Sequence, residues 1–350
     1  MIVTLTPNPS LDRTVTLSGP LVRGGVNRLQ SVTTEPGGKG LNVARVLARA
    51  GQAVTAVLPA PEHDPLLAAV HALETPGLNA VAVHVAGAVR INTAVTEPDG
   101  TTTKLNEPGA ALSPAEVGAI ETALGNAVAD GSGHVPGNPA GRPDNAAAAT
   151  AAATRDWAVL SGSLPPGAPT DWYAQLVQLL REVSPGLRIA VDTSDAPLAA
   201  LAAALPDAAP DLIKPNGEEL GQLAGLPADR ATALEQGAAA GDYGPVADAA
   251  RVLVERGVRA VMATLGGAGA VLVTAAGAWR ATAPAVPVIS TVGAGDSSVA
   301  GYILADVRGG DAPKRLATAM AYGSAAAGLP GTTLPGPADL PAQAAVVTSL

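Results

Sequence analysis

Short β-rich runs alternate with helical stretches along this chain, and that rhythm narrows the accessible folds more than any single motif does. Strand patterns fall at 2–5, 53–58, 80–85, 157–161, 187–192, 211–214 and 260–265. Helical patterns fall at 41–50, 65–74, 114–129, 171–183, 217–224, 246–256 and 299–307. Alternation of this kind predicts an α/β fold with a mostly parallel sheet and helices on both faces. Two segments break the rhythm. Residues 14–33, and 89–106 around a Pro98-Asp99-Gly100 turn, read as strands and hairpins, a small antiparallel appendage that would serve as a lid. Residues 131–154 have many Gly and Pro and no apolar period, which predicts a disordered surface insertion, and 236–245 reads as a milder polar loop. The alternation resumes after each, so the 350 residues are expected to form a single domain.

Composition supports a large core and removes several chemistries. Apolar residues make up 47% of the chain, but aromatics only 2%, with no Phe, so Ala, Val and Leu must do the packing. The net charge of −9 argues against a nucleic-acid or anionic-membrane partner, and any phosphate site must be a local cationic cluster. The absence of cysteine excludes disulfides, thiolate catalysis and Cys-based zinc sites. His63, His71, His84 and His134 show no metal-ligand spacing, and neither G-x-S-x-G nor G-x-G-x-x-G occurs. The start lacks signal-peptide character and no apolar run reaches about 18 residues, so a cytoplasmic protein is expected.

Against that background, Ser290-Thr291-Val292-Gly293-Ala294-Gly295-Asp296 opens a helix with a small-residue turn. Backbone N–H groups at such a turn converge on one point and suit an anion. Asp296 then reads either as a base for a hydroxyl attacking a phosphate, or as an ordinary helix N-terminal residue. Pro36-Gly37-Gly38-Lys39-Gly40-Leu41-Asn42 opens a second helix and pairs close backbone approach with a cation; a tight loop before a helix is the plainer reading. Lys39 is followed by Gly40, so this is no P-loop.

Asp12, Arg90, Lys104 with Asn106, and Ser161 all fall at strand ends or in the appendage, where open α/β sheets bind ligands. Lys39, Arg90 and Lys104 form a cationic trio in an acidic chain. Lys214-Pro215-Asn216-Gly217-Glu218-Glu219 places Asn216 and Glu219 three residues apart, a spacing that serves a hydrated Mg²⁺ or a capping box equally. The turn Thr264-Leu265-Gly266-Gly267-Ala268-Gly269 could admit nucleotide phosphates or simply form a hairpin.

These motifs in this order resemble the ribokinase-like, phosphofructokinase-B family of sugar kinases over roughly residues 1–330. Thr6-Pro7-Asn8-Pro9-Ser10-Leu11-Asp12, the Gly-Gly-Lys-Gly loop, Ser161-Gly162-Ser163-Leu164-Pro165, Lys-Pro-Asn-x-x-Glu and the Gly-Ala-Gly-Asp turn all fit its branch acting on ketohexose phosphates. The resemblance implies a three-layer α/β/α sandwich with a β-sheet lid that often forms a dimer interface. It implies transfer of phosphate from Mg·ATP to the 6-hydroxyl of fructose 1-phosphate, with tagatose 6-phosphate or fructose 6-phosphate as alternative substrates and a non-catalytic sensor as the competing class. Asp296 would be the base and Gly293, Ala294 and Gly295 the anion hole. Asp12, Gly38, Asn42, Asn106 and Ser161 would meet the sugar, and Lys39, Arg90 and Lys104 its phosphate. Lys214 and the Thr264, Leu265, Gly266, Gly267, Ala268, Gly269 turn would line the ATP site with Gly295, while Asn216 and Glu219 would hold Mg²⁺ through water. Ser298 departs from the bulky apolar residue many relatives carry, which bears on local packing.

Overall fold

Side chains alternate between the two faces of the sheet along short strands that are buried throughout, and this sorts the helices into two layers. In the computed structural model, which describes residues 1–130, 155–284 and 286–350, Trp157 and Val159 pack into one core while Ala158 and Leu160 pack into the other. In chain order the elements begin with β1 (Ile2–Leu5), β2 (Ser10–Leu17), β3 (Leu29–Gly37), α1 (Lys39–Arg49), β4 (Val54–Pro59), α2 (Pro65–Ala72), β5 (Leu78–Val83), β6 (Arg90–Thr96) and β7 (Thr102–Asn106). Then come α3 (Pro114–Ala129), β8 (Trp157–Ser161), α4 (Trp172–Val183), β9 (Arg188–Asp192), α5 (Asp195–Ala203), β10 (Leu212–Ile213), α6 (Gly217–Leu223), α7 (Ala228–Ala239) and α8 (Gly244–Glu255). The chain closes with β11 (Ala260–Thr264), β12 (Ala270–Thr274), β13 (Gly277–Ala281), α9 (Ala294–Val307), α10 (Ala312–Ala327) and β14 (Val347–Ser349).

Ten strands form the main sheet in the order β14-β13-β12-β11-β10-β9-β8-β1-β4-β5. From β11 to β5 the pairing is parallel, and β12, β13 and β14 add an antiparallel edge. Helices α3 to α8 cover one face, with α1, α2, α9 and α10 on the other, giving the expected three-layer sandwich. From β1 the chain builds outward first through β4 and β5, then on the opposite side through β8 to β11. At such a reversal the connections diverge and leave a crevice beyond the carboxyl ends of the strands.

The appendage is a separate four-stranded sheet, β3-β2-β6-β7. It departs from expectation in two ways. Its strands reach back to Ser10 and forward to Gly37, so Asp12 lies inside a strand. The sheet is also mixed, because β2 and β6 run parallel. The crossover from β2 to β6 passes through the main sheet, which leaves the two strands pointing the same way. Register places Asp12 opposite Asn92, and Asn92 opposite Asn106, so one face is polar. The other face carries the buried Val15 and Val95, together with Val32 and Leu105 at its exposed margins. The expected disordered insertion at 131–154 lies outside the described residues.

Candidate active site

Four elements bring charge to the crevice. Lys39 is the first residue of α1, released from the loop by Gly38 at φ 111°, where a Cβ would stand 2.6 Å from Thr6 Cγ2. Only glycine combines that conformation with so close an approach. Asp192 ends β9, Lys214 follows β10, and Asp296 lies in the first turn of α9. Lys39 Nζ is 3.2 Å and Lys214 Nζ 3.5 Å from the same oxygen, Asp192 Oδ1. Asp192 Oδ2 is buried and has no hydrogen-bond partner among the described residues. Burial alone would raise the Asp192 pKa, but Lys214 and Lys39 hold it below the usual carboxylate range. Asp192 in turn raises the Lys39 pKa, against the desolvation of the ammonium.

Asp296 is buried, and its Oδ2 accepts a 2.8 Å hydrogen bond from Asn42 Nδ2 on α1. Burial lifts its carboxyl to about 6; Asp192 pushes the same way, while Lys39, the Asn42 bond and Lys214 oppose. A carboxylate with that pKa can accept a proton near neutrality and pass it on, which is what a base needs. Gly293 enters α9 in the left-handed region at φ 74°. Among the described residues the N–H groups of Gly295 and Asp296 find no backbone acceptor, so the turn presents unspent donors beside Asp296. Lys214 lies directly against this turn, its Nζ 3.3 Å from where a Gly295 Cβ would stand. Ser298 is accommodated by donating to the Gly295 carbonyl at 2.7 Å.

The polar face of the second sheet holds the other group. Asp12 Oδ1 accepts from Ser10 Oγ at 2.7 Å and from Asn92 Nδ2 at 3.1 Å. Gly37 abuts Asp12 so tightly that a Cβ would fall 2.1 Å from its Oδ2. Arg90 sits opposite Ser10 with its Nε buried and without a partner among the described residues. Burial lowers the Arg90 pKa, and Asp12 counteracts this. Lys104 and Asn106 are exposed on β7, sharing the face with Asp12.

Several expected groupings come out differently. The cationic trio divides: Lys39 is committed to Asp192 in the crevice, while Arg90 and Lys104 belong to the second sheet. Ser161 is fully buried, its hydroxyl directed to the Asp192 carbonyl at 3.4 Å, because it closes a central strand beneath the crevice. Asn42 spends its amide donor on Asp296. Asn216 and Glu219 form a reciprocal capping box at 2.8 and 2.9 Å. The 264–269 turn is a hairpin from β11 into β12 through a 3₁₀ turn at Gly266–Ala268; its Leu265 side chain is buried, and Thr264 bridges to Asn216. The capping box and glycine turn therefore lie side by side. Sequence reasoning missed Asp192. Its signal was an acidic residue closing an otherwise apolar strand, Ile189-Ala190-Val191-Asp192, at the end where ligands bind.

The sequence pattern of the pfkB carbohydrate kinases matches residues 6–127 and 139–339. This chain belongs to the pfkB family. A 1-phosphofructokinase of Rhodobacter capsulatus is 38% identical over 99% of this chain and 96% of its own length. A 1-phosphofructokinase of Xanthomonas campestris is 34% identical over 91% of this chain and 89% of its own. Phosphofructokinase-2 of Escherichia coli, solved in complex with substrates and products, superposes with a TM-score of 0.77 at 28% identity, covering 97% of this chain and 96% of that one. That superposition takes in nearly the whole of this chain, in which a large mostly parallel sheet stands beside a smaller one. Among the described residues no helix is long and apolar enough to cross a membrane.

Proposed function

We propose that this pfkB kinase transfers the γ-phosphoryl group of Mg·ATP to the 6-hydroxyl of fructose 1-phosphate, giving fructose 1,6-bisphosphate. The observation that carries the reading is Asp296: a buried carboxylate with a pKa of about 6 beside the unspent N–H groups of α9 and two lysines. The choice of sugar rests on the 1-phosphofructokinases of R. capsulatus and X. campestris, which match nearly end to end.

In this scheme the 6-hydroxyl lies at Asp296, which takes its proton as the oxygen attacks the γ-phosphorus in line with the departing ADP. The N–H groups of Gly293, Gly295 and Asp296 donate to the equatorial oxygens of the transferring group, while that of Ala294, expected among them, is given to the Thr291 carbonyl at 3.4 Å. Lys39 and Lys214, both held by Asp192 Oδ1, offset its charge. Asp12 and Asn92 hold sugar hydroxyls, and Arg90 and Lys104 grip the 1-phosphate from the second sheet, which acts as the lid. Nucleotide occupies the surface beside the 264–269 turn, where glycines let it approach the backbone.

The residues present fit Mg²⁺. Asp192 Oδ2 is a buried, unpartnered anionic oxygen, and Glu219 lies close enough to act on Lys39. Among the described residues no cluster of three or more His, Cys, Asp or Glu could hold a metal. Two carboxylates suit an ion that keeps its waters and leans on substrate phosphates. When bound, Mg²⁺ would neutralise charge on those phosphates. The apolar face of the lid, with Val32 and Leu105 exposed, is proposed to pair with a second copy.

A coupled assay of ADP release across fructose 1-phosphate, fructose 6-phosphate, tagatose 6-phosphate and fructose tests the reading. Fructose 1-phosphate should give the highest kcat/KM, and free fructose should fall by at least a hundredfold. Tagatose 6-phosphate or fructose 6-phosphate winning would overturn the sugar, and fructose matching its phosphates would overturn the phosphate grip.

A further inference from the structure

At the opposite end of α9 from Asp296 lies a second concentration of charge that the kinase reaction does not use. Asp306 is fully buried near the helix C-terminus. Its Oδ1 lies 3.2 Å from Arg155 Nη1 and 2.8 Å from Arg315 Nε; its Oδ2 accepts from Trp157 Nε1 at 3.0 Å and is paired with Arg188. Both oxygens are therefore saturated. Close by, Asp211 is shared between Arg181 at 2.7 Å and Arg259 at 3.6 Å. Five guanidiniums thus serve two carboxylates, an excess of three positive charges on a chain whose net charge is −9.

Three of these arginines, Arg188, Arg259 and Arg315, line a cavity of about 300 Å³ together with the two carboxylates they serve, Asp306 and Asp211. That volume lies at the lower end of the range that holds small molecules. Arg188 rests over the Trp157 ring at 5.9 Å and Arg315 over Tyr302 at 6.0 Å, so both guanidiniums are oriented before any ligand arrives. Each guanidinium carries five donors. Arg188 spends one on Asp306, and the Arg259 guanidinium makes no hydrogen bond among the described residues. Charge neutralisation of Asp306 needs one cation, so it does not account for a preorganised fork of arginines around an open cavity. Asp296 and Asp306 are ten residues apart, about 15 Å along the helix, which is too far for one small ligand to touch both.

We propose that this cavity is a second anion site, separate from the kinase crevice, for a small phosphorylated compound carrying two or three negative charges. Its phosphoryl oxygens would receive the free N–H groups of Arg188 and Arg259, a match to the fork geometry of arginine. The test is calorimetric titration of the intact protein with inorganic pyrophosphate, comparing wild type, Lys39→Ala and Arg188→Gln/Arg259→Gln. One equivalent of binding per chain should persist in Lys39→Ala and weaken at least a hundredfold in the double variant. Arg188 also braces Asp306, so the single Arg259→Gln variant, altered at a side chain that is 68% exposed, guards against misfolding and should weaken the same equivalent about tenfold. Pyrophosphate binding that is lost in Lys39→Ala and unchanged in both arginine variants would overturn the site and leave the arginines as braces for Asp306.

Discussion

Asp296 carries a cost to the fold that its proposed role explains. Its carboxyl sits at about 6 because burial and the Asp192 charge both disfavour ionisation. A folded-state pKa raised above the ordinary 3.8 means the contribution to stability is complete below pH 3.8 and is lost as pH rises through 6. Asp296→Asn keeps an oxygen to accept from Asn42 and removes the charge. It should therefore stabilise the protein at pH 7.5 by at most about 3 kcal/mol, or roughly 2 to 4 °C in Tm, with the gain vanishing below pH 4. Thermal unfolding at both pH values checks this; an unchanged or lower Tm at pH 7.5 would show that the carboxylate is not strained. Asp192→Asn acts on the same group from outside. Removing that charge releases Lys39 and Lys214 and should lower the Asp296 pKa, moving the acid limb of kcat/KM to lower pH. A limb that stays in place would detach Asp192 from the base.

At the scale of elements, the second sheet is a strand-built hand whose polar face carries Asp12, Asn92, Arg90 and Lys104. Arg90→Ala and Lys104→Ala should each raise KM for fructose 1-phosphate about ten- to a hundredfold, since a charge-assisted contact contributes about 1.5 to 3 kcal/mol, while KM for ATP changes little. Equal rises for both substrates would reduce these residues to lid support. The strands and helices of the parallel core were readable because their apolar periods are strong: 157–161 and 114–129 fall where expected. Helix α10 escaped notice because Ala-Pro-Lys-Arg-Leu-Ala-Thr-Ala-Met-Ala is small or apolar almost all round and shows no clean stripe. Helix α7 absorbed the start of the supposed loop at 236–245, since its polar exterior mimics loop composition. Lys39 and Asp296, each at a helix start, stand together in the crevice, whereas the resemblance set Lys39 with Arg90 and Lys104 on the phosphate of the sugar. Pairings across the fold were not readable: nothing local in sequence says that Lys39 and Lys214 share one oxygen of Asp192.

At the scale of the molecule, the proposed kinase crevice and the proposed second anion site lie at opposite ends of α9, and the second sheet has an apolar back. The exposed Val32 and Leu105 on that back should bury against a second copy, so Val32→Glu/Leu105→Glu is expected to shift the protein from dimer to monomer in light scattering at micromolar concentration. A wild-type monomer, or a double variant that stays dimeric, would remove the lid as the interface. The central claim, that Asp296 is the base for transfer to fructose 1-phosphate, is tested most directly by the pH profile of kcat/KM with that sugar for wild type and Asp296→Asn. Wild type should show an acid limb near pH 6, and the variant should lose about 10² to 10⁴ in rate and lack the limb, with calorimetric binding of fructose 1-phosphate preserved. A variant that keeps more than about a tenth of the wild-type rate, or that retains the same limb, would contradict the account.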